Sequence, residues 1–224
     1  MLAESKDKSY ANEGNDDVLG MVEGEGARIL DVGCGSGSLA RRLQAKGHAV
    51  DGITISEEEL RQATPFVRNV YLYNLEGGLP AEMPDGEFDY VICSHVLEHI
   101  VYPQKLLGDI HRTLKPGGIL IVALPNVMHY KSRLRLMTGR FDYTDAGIWD
   151  YTHVRWYTVD SAKELLSKSG FTISRYLVTG ELPLNSVAKR VLPAALRKTL
   201  YGFLTSLSKG LFGYQMLFKA AKKG

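Results

Sequence analysis

Three glycines at every second position, Gly33, Gly35 and Gly37, are the feature that most constrains how this sequence folds. They follow a short apolar run that ends at Asp31, and a helical pattern begins directly after them. A strand, a glycine turn and a helix in this order are typical of a nucleotide-binding unit, because glycine accepts positive φ and leaves the backbone open to a ligand. A tight turn that binds nothing would need the same glycines, so this stretch alone leaves both interpretations open.

The rest of the 224 residues alternates apolar strand patterns with amphipathic helices, which favours a parallel sheet with right-handed crossovers. Strands are predicted over residues 28–31, 48–55, 70–73, 88–93, 119–124 and 171–178, and an antiparallel one over 212–220. Helices are predicted over 17–23, 38–46, 57–64, 102–114, 126–137, 159–169 and, broken at Pro193 and Gly202, 186–208. Ser56 and Glu59 match a capping box, and Thr158 is a predicted N-cap. Ligands of such sheets bind at the carboxyl ends of the strands.

Bulk features predict a cytoplasmic protein with reduced cysteines and no metal site. No apolar run approaches the roughly 18 residues of a membrane span, and the first residues lack a signal-peptide pattern. The two cysteines, Cys34 and Cys93, lie at the ends of apolar strands and show no metal-ligand spacing.

Charge is distributed unevenly along the chain. No acidic residue follows Glu181, whereas eight basic residues do, and the preceding part carries 19 basic against 25 acidic residues. This pattern fits either a solvated basic face or peripheral contact of residues 186–224 with a membrane or another anionic partner. Nucleic acid is an unlikely partner, because the first 185 residues are net acidic and contain no recognisable stacking motif.

Three motifs occur in a fixed order: DVGCGSG at residues 31–37, FDYVICSHVLEH at 88–99 and LKPGG at 114–118. Together they resemble the class I S-adenosylmethionine-dependent methyltransferases over about residues 25–180. The resemblance implies an α/β, Rossmann-like fold: a seven-stranded, mostly parallel sheet with helices on both faces and a lid after the fifth strand. It also implies S-adenosylmethionine as cofactor and S-adenosylhomocysteine as product.

The same resemblance suggests how the chain is organised. Residues 1–24 are predicted to be an N-terminal extension and 25–224 the methyltransferase domain, with 126–157 as a lid insertion and 181–224 as basic C-terminal helices and a last strand. Residues 125–155 resemble bacterial methyltransferases of cell-surface glycan synthesis and, more loosely, a MetW-like group. This predicts methyl transfer, at oxygen, to a small-molecule or glycan- or lipid-linked acceptor.

Cofactor-binding residues are implied at the carboxyl ends of the first four strands. They are Asp31, Gly33, Cys34, Gly35 and Gly37 after the first strand, Thr54 and Ile55 after the second, Asn74 and Leu75 after the third, and Ser94 and His95 after the fourth. The sequence departs from the family at Thr54, where an acid usually binds the ribose hydroxyls. A hydroxyl provides one weaker contact in place of two charge-assisted ones.

Methyl transfer from a sulfonium needs a correctly placed nucleophile and, for a hydroxyl acceptor, a base. The candidate bases are His95, His129 and His153. The predicted acceptor contacts lie in the aromatic stretch 138–157 and are Asp150, Tyr151 and Arg155. Each of these residues also fits a purely structural role.

Two alternatives from other classes remain open at this stage. Gly35, Gly37 and Ala40 fit G-x-G-x-x-A with Asp51 sixteen residues after Gly35, as in an NAD(P)-dependent oxidoreductase. The chain also fits a non-catalytic cofactor-binding module that docks on a membrane or partner through its basic tail. The sequence does not specify the acceptor or the oligomeric state.

Overall fold

The computed structural model describes residues 14–180, 182–183 and 185–223. Residues 1–13 of the predicted N-terminal extension lie outside this range. The strands are β1 (Arg28–Val32), β2 (Ala49–Thr54), β3 (Val70–Leu72), β4 (Phe88–Ser94), β5 (Leu114–Pro125), β6 (Phe171–Thr179) and β7 (Gln215–Lys222). They form one sheet in the order β3-β2-β1-β4-β5-β7-β6, with β7 antiparallel to both of its neighbours and the other pairs parallel. The predicted fold class is confirmed.

Helices pack on the sheet and continue beyond it. They are α1 (Asp16–Leu19), α2 (Ser38–Ala45), α3 (Glu57–Ala63), α4 (Pro103–Thr113), α5 (Tyr130–Met137), α6 (Val159–Lys168), α7 (Asn185–Val191), α8 (Ala194–Leu207) and α9 (Lys209–Phe212). Successive residues of a strand point to opposite faces, so Leu30 and Ile29 of β1 enter two separate buried apolar clusters. The sheet is therefore covered by apolar packing on both faces.

Local signals explain most helix boundaries. Thr158 and Ser161 form a reciprocal capping box at the start of α6, as the predicted N-cap requires. Gly47, at φ 84°, follows the end of α2 in the left-handed conformation that glycine accepts without strain. The predicted N-cap at Thr158 is confirmed.

The start predicted for the fifth strand, residue 119, is wrong, because β5 already begins at Leu114. Leu114 pairs with Phe88, and Ile119 pairs with Tyr90 across a shift in register. The intervening residues form a bulge in which Gly117 takes φ 75°. The glycines therefore interrupt the ladder without separating the helix from the strand.

Three further boundaries differ from the prediction. The helix expected from Asn126 begins at Tyr130, because the Asn126 side chain instead donates to the carbonyls of Gly210 and Gly213. Helix α8 runs through Gly202, since one exposed glycine costs a helix only about 1 kcal/mol. The last strand begins at Gln215, after the short helix α9 takes the residues before it.

The central strands bring the predicted site together. In the parallel register, Val32 of β1 lies beside Cys93 of β4 and Ile53 of β2. The glycine loop after β1, Thr54 at the end of β2 and His95 after β4 therefore occupy one edge of the sheet.

Candidate active site

Two of the three glycines in the loop are required by close packing within the protein. A Cβ added to Gly33 would lie 2.7 Å from Cγ2 of Val96, and one added to Gly37 would lie 2.9 Å from Cα of Ala63. Both glycines also have φ above 70°. Close packing and positive φ thus account for Gly33 and Gly37 without any ligand.

Gly35 is different, because it faces open space at the edge of the sheet. A Cβ built there meets only one atom within 4 Å, Oε1 of Glu59 at 3.8 Å. Gly33 is exposed and Gly35 is half-buried, so a ligand can approach bare backbone at both positions, and at Gly35 it also meets the Glu59 carboxyl.

Asp31 ends the apolar part of β1 with an uncompensated carboxyl group. Its side chain is 2% exposed, and its Oδ2 atom has no hydrogen-bond partner among the described residues. Burial raises the pKa of Asp31 to about 7. A cationic group placed beside this carboxyl would compensate its charge, and the ammonium group of S-adenosylmethionine meets that requirement.

Glu59 is a site residue that the sequence analysis missed. Its carboxyl is buried, and Oε2 accepts a 2.6 Å hydrogen bond from the hydroxyl of Thr54. The predicted capping box is therefore half formed: Ser56 accepts from the Glu59 amide, whereas the Glu59 side chain turns to Thr54. A carboxylate thus lies next to the end of β2 after all, supplied by α3 one turn further along the chain.

The other residues predicted to contact the cofactor are placed less uniformly. The Cys34 amide donates to the carbonyl of Ile53, its side chain is buried, and burial raises the pKa of its thiol. Ile55 is 38% exposed. Asn74 is exposed and accepts from the Glu76 amide, and Leu75, the next residue, is half-buried. A ligand can therefore contact the backbone at Cys34, the apolar side chains of Ile55 and Leu75, and the exposed side-chain amide of Asn74.

His95 follows β4 in a strained conformation. With φ 59° it is the one non-glycine residue at positive φ in the described part of the chain. Its Nδ1 lies 3.0 Å from Oε1 of Glu98 and its Nε2 lies 2.6 Å from Oε1 of Gln215. Gln215 also accepts from Asn15, which donates weakly to Ser94 as well.

Hydrogen bonding sets the charge state of this histidine. Burial by itself would lower the pKa of His95, but the hydrogen bonds to Glu98 and Gln215 and the charge of Glu98 outweigh it and raise the pKa. Glu98 has no exposed surface, and burial would raise its pKa, yet its interactions with His95 and His99 lower it. When the partly exposed imidazole is protonated, the two side chains form an ion pair.

A second histidine pair lies behind this ion pair. Glu98, His99 and His153 each offer one potential metal-ligand atom, and these atoms lie within 4.8 Å of one another. Thr152 contacts Nδ1 of His99, and the carbonyl of Ile148 lies 3.1 Å from Nδ1 of His153. The sequence predicted no metal site because metal-ligand spacings are missing along the chain. These three residues come close to one another only in the folded structure.

His129 has the surroundings of a packed core residue. It is 2% exposed, and its ring lies 4.4 Å from that of Tyr130 and 5.3 Å from that of Tyr214. Burial and the charge of Lys131 lower the pKa of His129 to about 4. Burial likewise lowers the pKa of His153. Of the three candidate bases, His95 alone is substantially exposed.

Residues 148–157, the last part of the lid predicted over 126–157, are fixed to the segment after β4. The carbonyl of Glu98 accepts from the amides of Val154 and Arg155, and the Arg155 guanidinium donates to the carbonyl of Val101 at 2.5 Å and 2.8 Å. Asp150 is buried and accepts from Thr152. Two of the predicted acceptor contacts, Asp150 and Arg155, therefore hold the lid in place.

Residues 138–147, the middle part of the predicted lid, are mostly exposed. Phe141 and Tyr143 present about half of their surface to solvent, and Phe141 also contacts Trp149 edge-on. Beside them lies an open groove of about 670 Å³. It is lined by Lys131, Leu134, Arg135, Thr138, Arg140 and Asp142. Tyr151, the third predicted acceptor contact, is 37% exposed.

Asp51, the acid that the dinucleotide alternative requires, is bound elsewhere. Its carboxyl forms a 2.9 Å ion pair with Arg28 and accepts from Asn69. It is 2% exposed. The side chain is thus occupied within the protein and gives no support to a dinucleotide site.

Comparisons with known proteins also indicate a methyltransferase. Residues 10–175 match a family model described as a methyltransferase domain. Over 105 residues the chain is 36% identical to a protein of Chromobacterium violaceum named ubiquinone biosynthesis O-methyltransferase, covering 42% of each chain. A protein of the same name from Pseudomonas aeruginosa is 34% identical over 113 residues, or 45% of each chain. The matched segment is less than half the length of these curated relatives.

Solved structures share the fold. An S-adenosylmethionine-dependent methyltransferase from Methanosarcina mazei superposes with a TM-score of 0.64 at 19% identity, covering 94% of this chain and 99% of that one. One from Archaeoglobus fulgidus gives a TM-score of 0.63 at 21% identity, covering 88% and 86%. These matches support the architecture described above.

Proposed function

The chain belongs to the methyltransferase domain family, and from this premise we propose that it transfers a methyl group from S-adenosylmethionine to a hydroxyl oxygen. The observation that carries the proposal is the buried carboxyl of Asp31, whose Oδ2 atom has no hydrogen-bond partner among the described residues, at the strand end that leads into the Gly35 loop. The acceptor is a small molecule or a glycan- or lipid-linked one. The name of the Chromobacterium and Pseudomonas relatives, O-methyltransferase, supports oxygen as the methylated atom.

In this proposal the cofactor binds at the carboxyl ends of two strands, β1 and β2. Asp31 binds the ammonium group of the cofactor, and the backbone at Gly35 lies against the cofactor. Glu59 accepts hydrogen bonds from the ribose hydroxyls of the cofactor. Thr54 positions Glu59 by donating to its other oxygen. When bound, S-adenosylmethionine supplies an electrophilic methyl group on a sulfonium.

His95 is the proposed base. When His95 is neutral, Nε2 exchanges its contact with Oε1 of Gln215 for the acceptor hydroxyl and accepts the hydroxyl proton, while Nδ1–H donates to the Glu98 carboxylate. The ionised Glu98 stabilises the imidazolium that results. Because the same interaction raises the pKa of His95, the base form is reached only above the ordinary value of 6.5, and activity rises with pH through that region.

The exposed lid segment, residues 138–147, is the proposed acceptor surface. Phe141 and Tyr143 offer faces for a sugar or aromatic ring, and Tyr151 extends the same surface. The cations of the neighbouring groove, Lys131 and Arg140, suit an acceptor that carries phosphate. Asp150 and Arg155 act indirectly, by holding the lid.

Two measurements test the proposal. Calorimetric titration is expected to show binding of S-adenosylhomocysteine and none of NADH; the reverse result identifies a dinucleotide enzyme. Methyl-labelled S-adenosylmethionine is then incubated with polar and lipid fractions of a cell-envelope extract, and label is expected in a hydroxyl-bearing product. His95→Asn should lower the transfer rate about 10²–10⁴-fold while leaving S-adenosylhomocysteine affinity within about threefold.

The remaining alternative is a cofactor-binding module without catalysis. It would bind S-adenosylhomocysteine like the enzyme but transfer no label to any fraction. The label experiment therefore distinguishes the two, and its failure would contradict methyl transfer even where cofactor binding holds.

A further inference from the structure

Helix α8 presents a row of large apolar side chains to solvent. Leu196, Leu200, Phe203 and Leu207 are 44%, 38%, 59% and 65% exposed, and we call this row the outer stripe. The four positions recur at i, i+4, i+7 and i+11, which is the repeat of a single helix face. Large apolar side chains scattered singly over a surface are ordinary, but an aligned row marks an interaction surface.

Contacts on another face of α8 fix this orientation. The Tyr201 hydroxyl donates to the carbonyl of Phe212, and Leu204 and Thr205 are half-buried. Ser208 ends α8 and caps α9. The helix is therefore already packed through one face, and the outer stripe is the apolar surface left over.

The charge of this segment identifies the kind of surface that it suits. No acidic residue follows Glu181, and Lys189, Arg190 and Lys198 are exposed on α7 and α8. Val191, at the end of α7, is 68% exposed. Asp17 interacts with Tyr201, which lies on the packed face of α8, whereas the segment after Glu181 itself supplies only cations beside its apolar side chains. This combination matches an anionic bilayer, whose phosphates bind the cations while the acyl boundary accepts the apolar groups.

We propose that the outer stripe docks on an anionic phospholipid surface, with α8 lying in the plane of the membrane interface. Among the residues that the structure describes, no helix is long and apolar enough to cross a bilayer. The proposal stands apart from methyl transfer, since it concerns where the protein binds and is measured without turnover.

Docking through α8 would also orient the candidate active site. Helix α9 follows α8 directly, and Asn126, just after β5, donates to the carbonyls of Gly210 and Gly213 at 2.8 Å. The outer stripe is thus connected to the carboxyl edge of the sheet, where Gly35 and His95 lie. A membrane-bound protein would hold that edge close to the lipid surface.

The test is flotation of the full chain with vesicles of phosphatidylcholine, with or without phosphatidylglycerol. Binding to the anionic vesicles is expected to be at least about tenfold tighter than to pure phosphatidylcholine and to weaken as salt rises. The double variant Phe203→Ser with Leu207→Ser should weaken that binding at least about tenfold. Leu72→Ser, which changes an exposed leucine on β3 at the far edge of the sheet, is the matched control and should bind normally.

Charge reversal separates the electrostatic part. Arg190→Glu with Lys198→Glu should remove the preference for phosphatidylglycerol, whereas Lys46→Glu, an exposed lysine after α2, should leave it intact. Circular dichroism establishes that each variant is folded. Absence of vesicle binding, or binding that survives the stripe substitutions, overturns the proposal. If the protein does not bind vesicles but sediments as a dimer, and the stripe substitutions make it a monomer, the proposal is overturned. The outer stripe would then bind a second copy of the chain.

Discussion

The ends of β1 and β4 lie side by side in the sheet, and each region has a buried carboxyl group in a different electrostatic state. At β1, burial raises the pKa of Asp31 to about 7, because no cation of the described chain lies against it. After β4, burial would raise the pKa of Glu98 as well, but the neighbouring His95 and His99 lower it. The protein thus compensates the charge of Glu98 with neighbouring histidines and leaves the carboxyl of Asp31 uncompensated.

Removing the carboxylate of Asp31 gives the largest expected effect. Asp31→Asn should weaken binding of S-adenosylhomocysteine about 100-fold, because a buried charge-assisted contact to the ammonium group is lost. The same change should raise the Tm of the ligand-free protein at pH 8, since it removes an uncompensated buried charge. Calorimetric titration and thermal unfolding measure the two effects.

The pH dependence of stability sharpens this prediction. Since the folded state keeps the Asp31 proton up to about pH 7 and the unfolded state loses it near 3.8, the free energy of unfolding should fall as pH rises between these values. Asp31→Asn should remove that slope. A variant that binds normally and keeps the slope would show that Asp31 is not the cofactor carboxylate.

Glu98→Gln should act on turnover and leave cofactor binding nearly unchanged. Loss of the carboxylate lowers the pKa of His95, so the acid limb of the kcat profile should move to lower pH, while kcat at the plateau falls about 10–100-fold. Glu58→Gln, which changes an exposed carboxyl paired with Arg61, is the control and should leave the profile in place. An unmoved acid limb in Glu98→Gln would remove His95 as the base.

Thr54→Val tests the smallest contribution. The substitution keeps the shape but removes the 2.6 Å hydrogen bond that holds Glu59, so S-adenosylhomocysteine should bind about threefold to tenfold more weakly. Thr64→Val removes a hydroxyl that bonds only the Leu60 carbonyl among the described contacts and should leave affinity unchanged. Equal affinities in the two variants would contradict a positioning role for Thr54.

The sequence allowed the sheet and the glycine loop to be predicted because both depend on local patterns. Alternating apolar periods locate the strands, and Gly33, Gly35 and Gly37 mark a turn that other residues adopt only with strain. What the local pattern does not show is which glycine faces a ligand. That distinction depends on Val96 and Ala63, which pack against Gly33 and Gly37 from distant parts of the chain.

The catalytic region was harder to predict, because its key contacts join distant segments. Glu59 matches a capping box in sequence, yet its side chain bonds Thr54 once the end of β2 lies beneath it. Asp150 and Arg155 have the residue types of a binding site, but Arg155 bonds the carbonyl of Val101, and Asp150 bonds Thr152, which in turn contacts His99. No spacing rule distinguishes a polar side chain that binds a ligand from one that fixes a loop.

The hydrogen bond between Asn15 and Gln215 joins residues two hundred positions apart, and His95 bonds the same glutamine. During synthesis on the ribosome, the glycine loop and the first four strands therefore emerge long before the glutamine that orients the histidine. A nascent chain halted ahead of β7 would contain the residues proposed to bind the cofactor while its imidazole lacked one of its two partners. Translation thus makes the proposed binding residues first and completes the setting of the proposed base last.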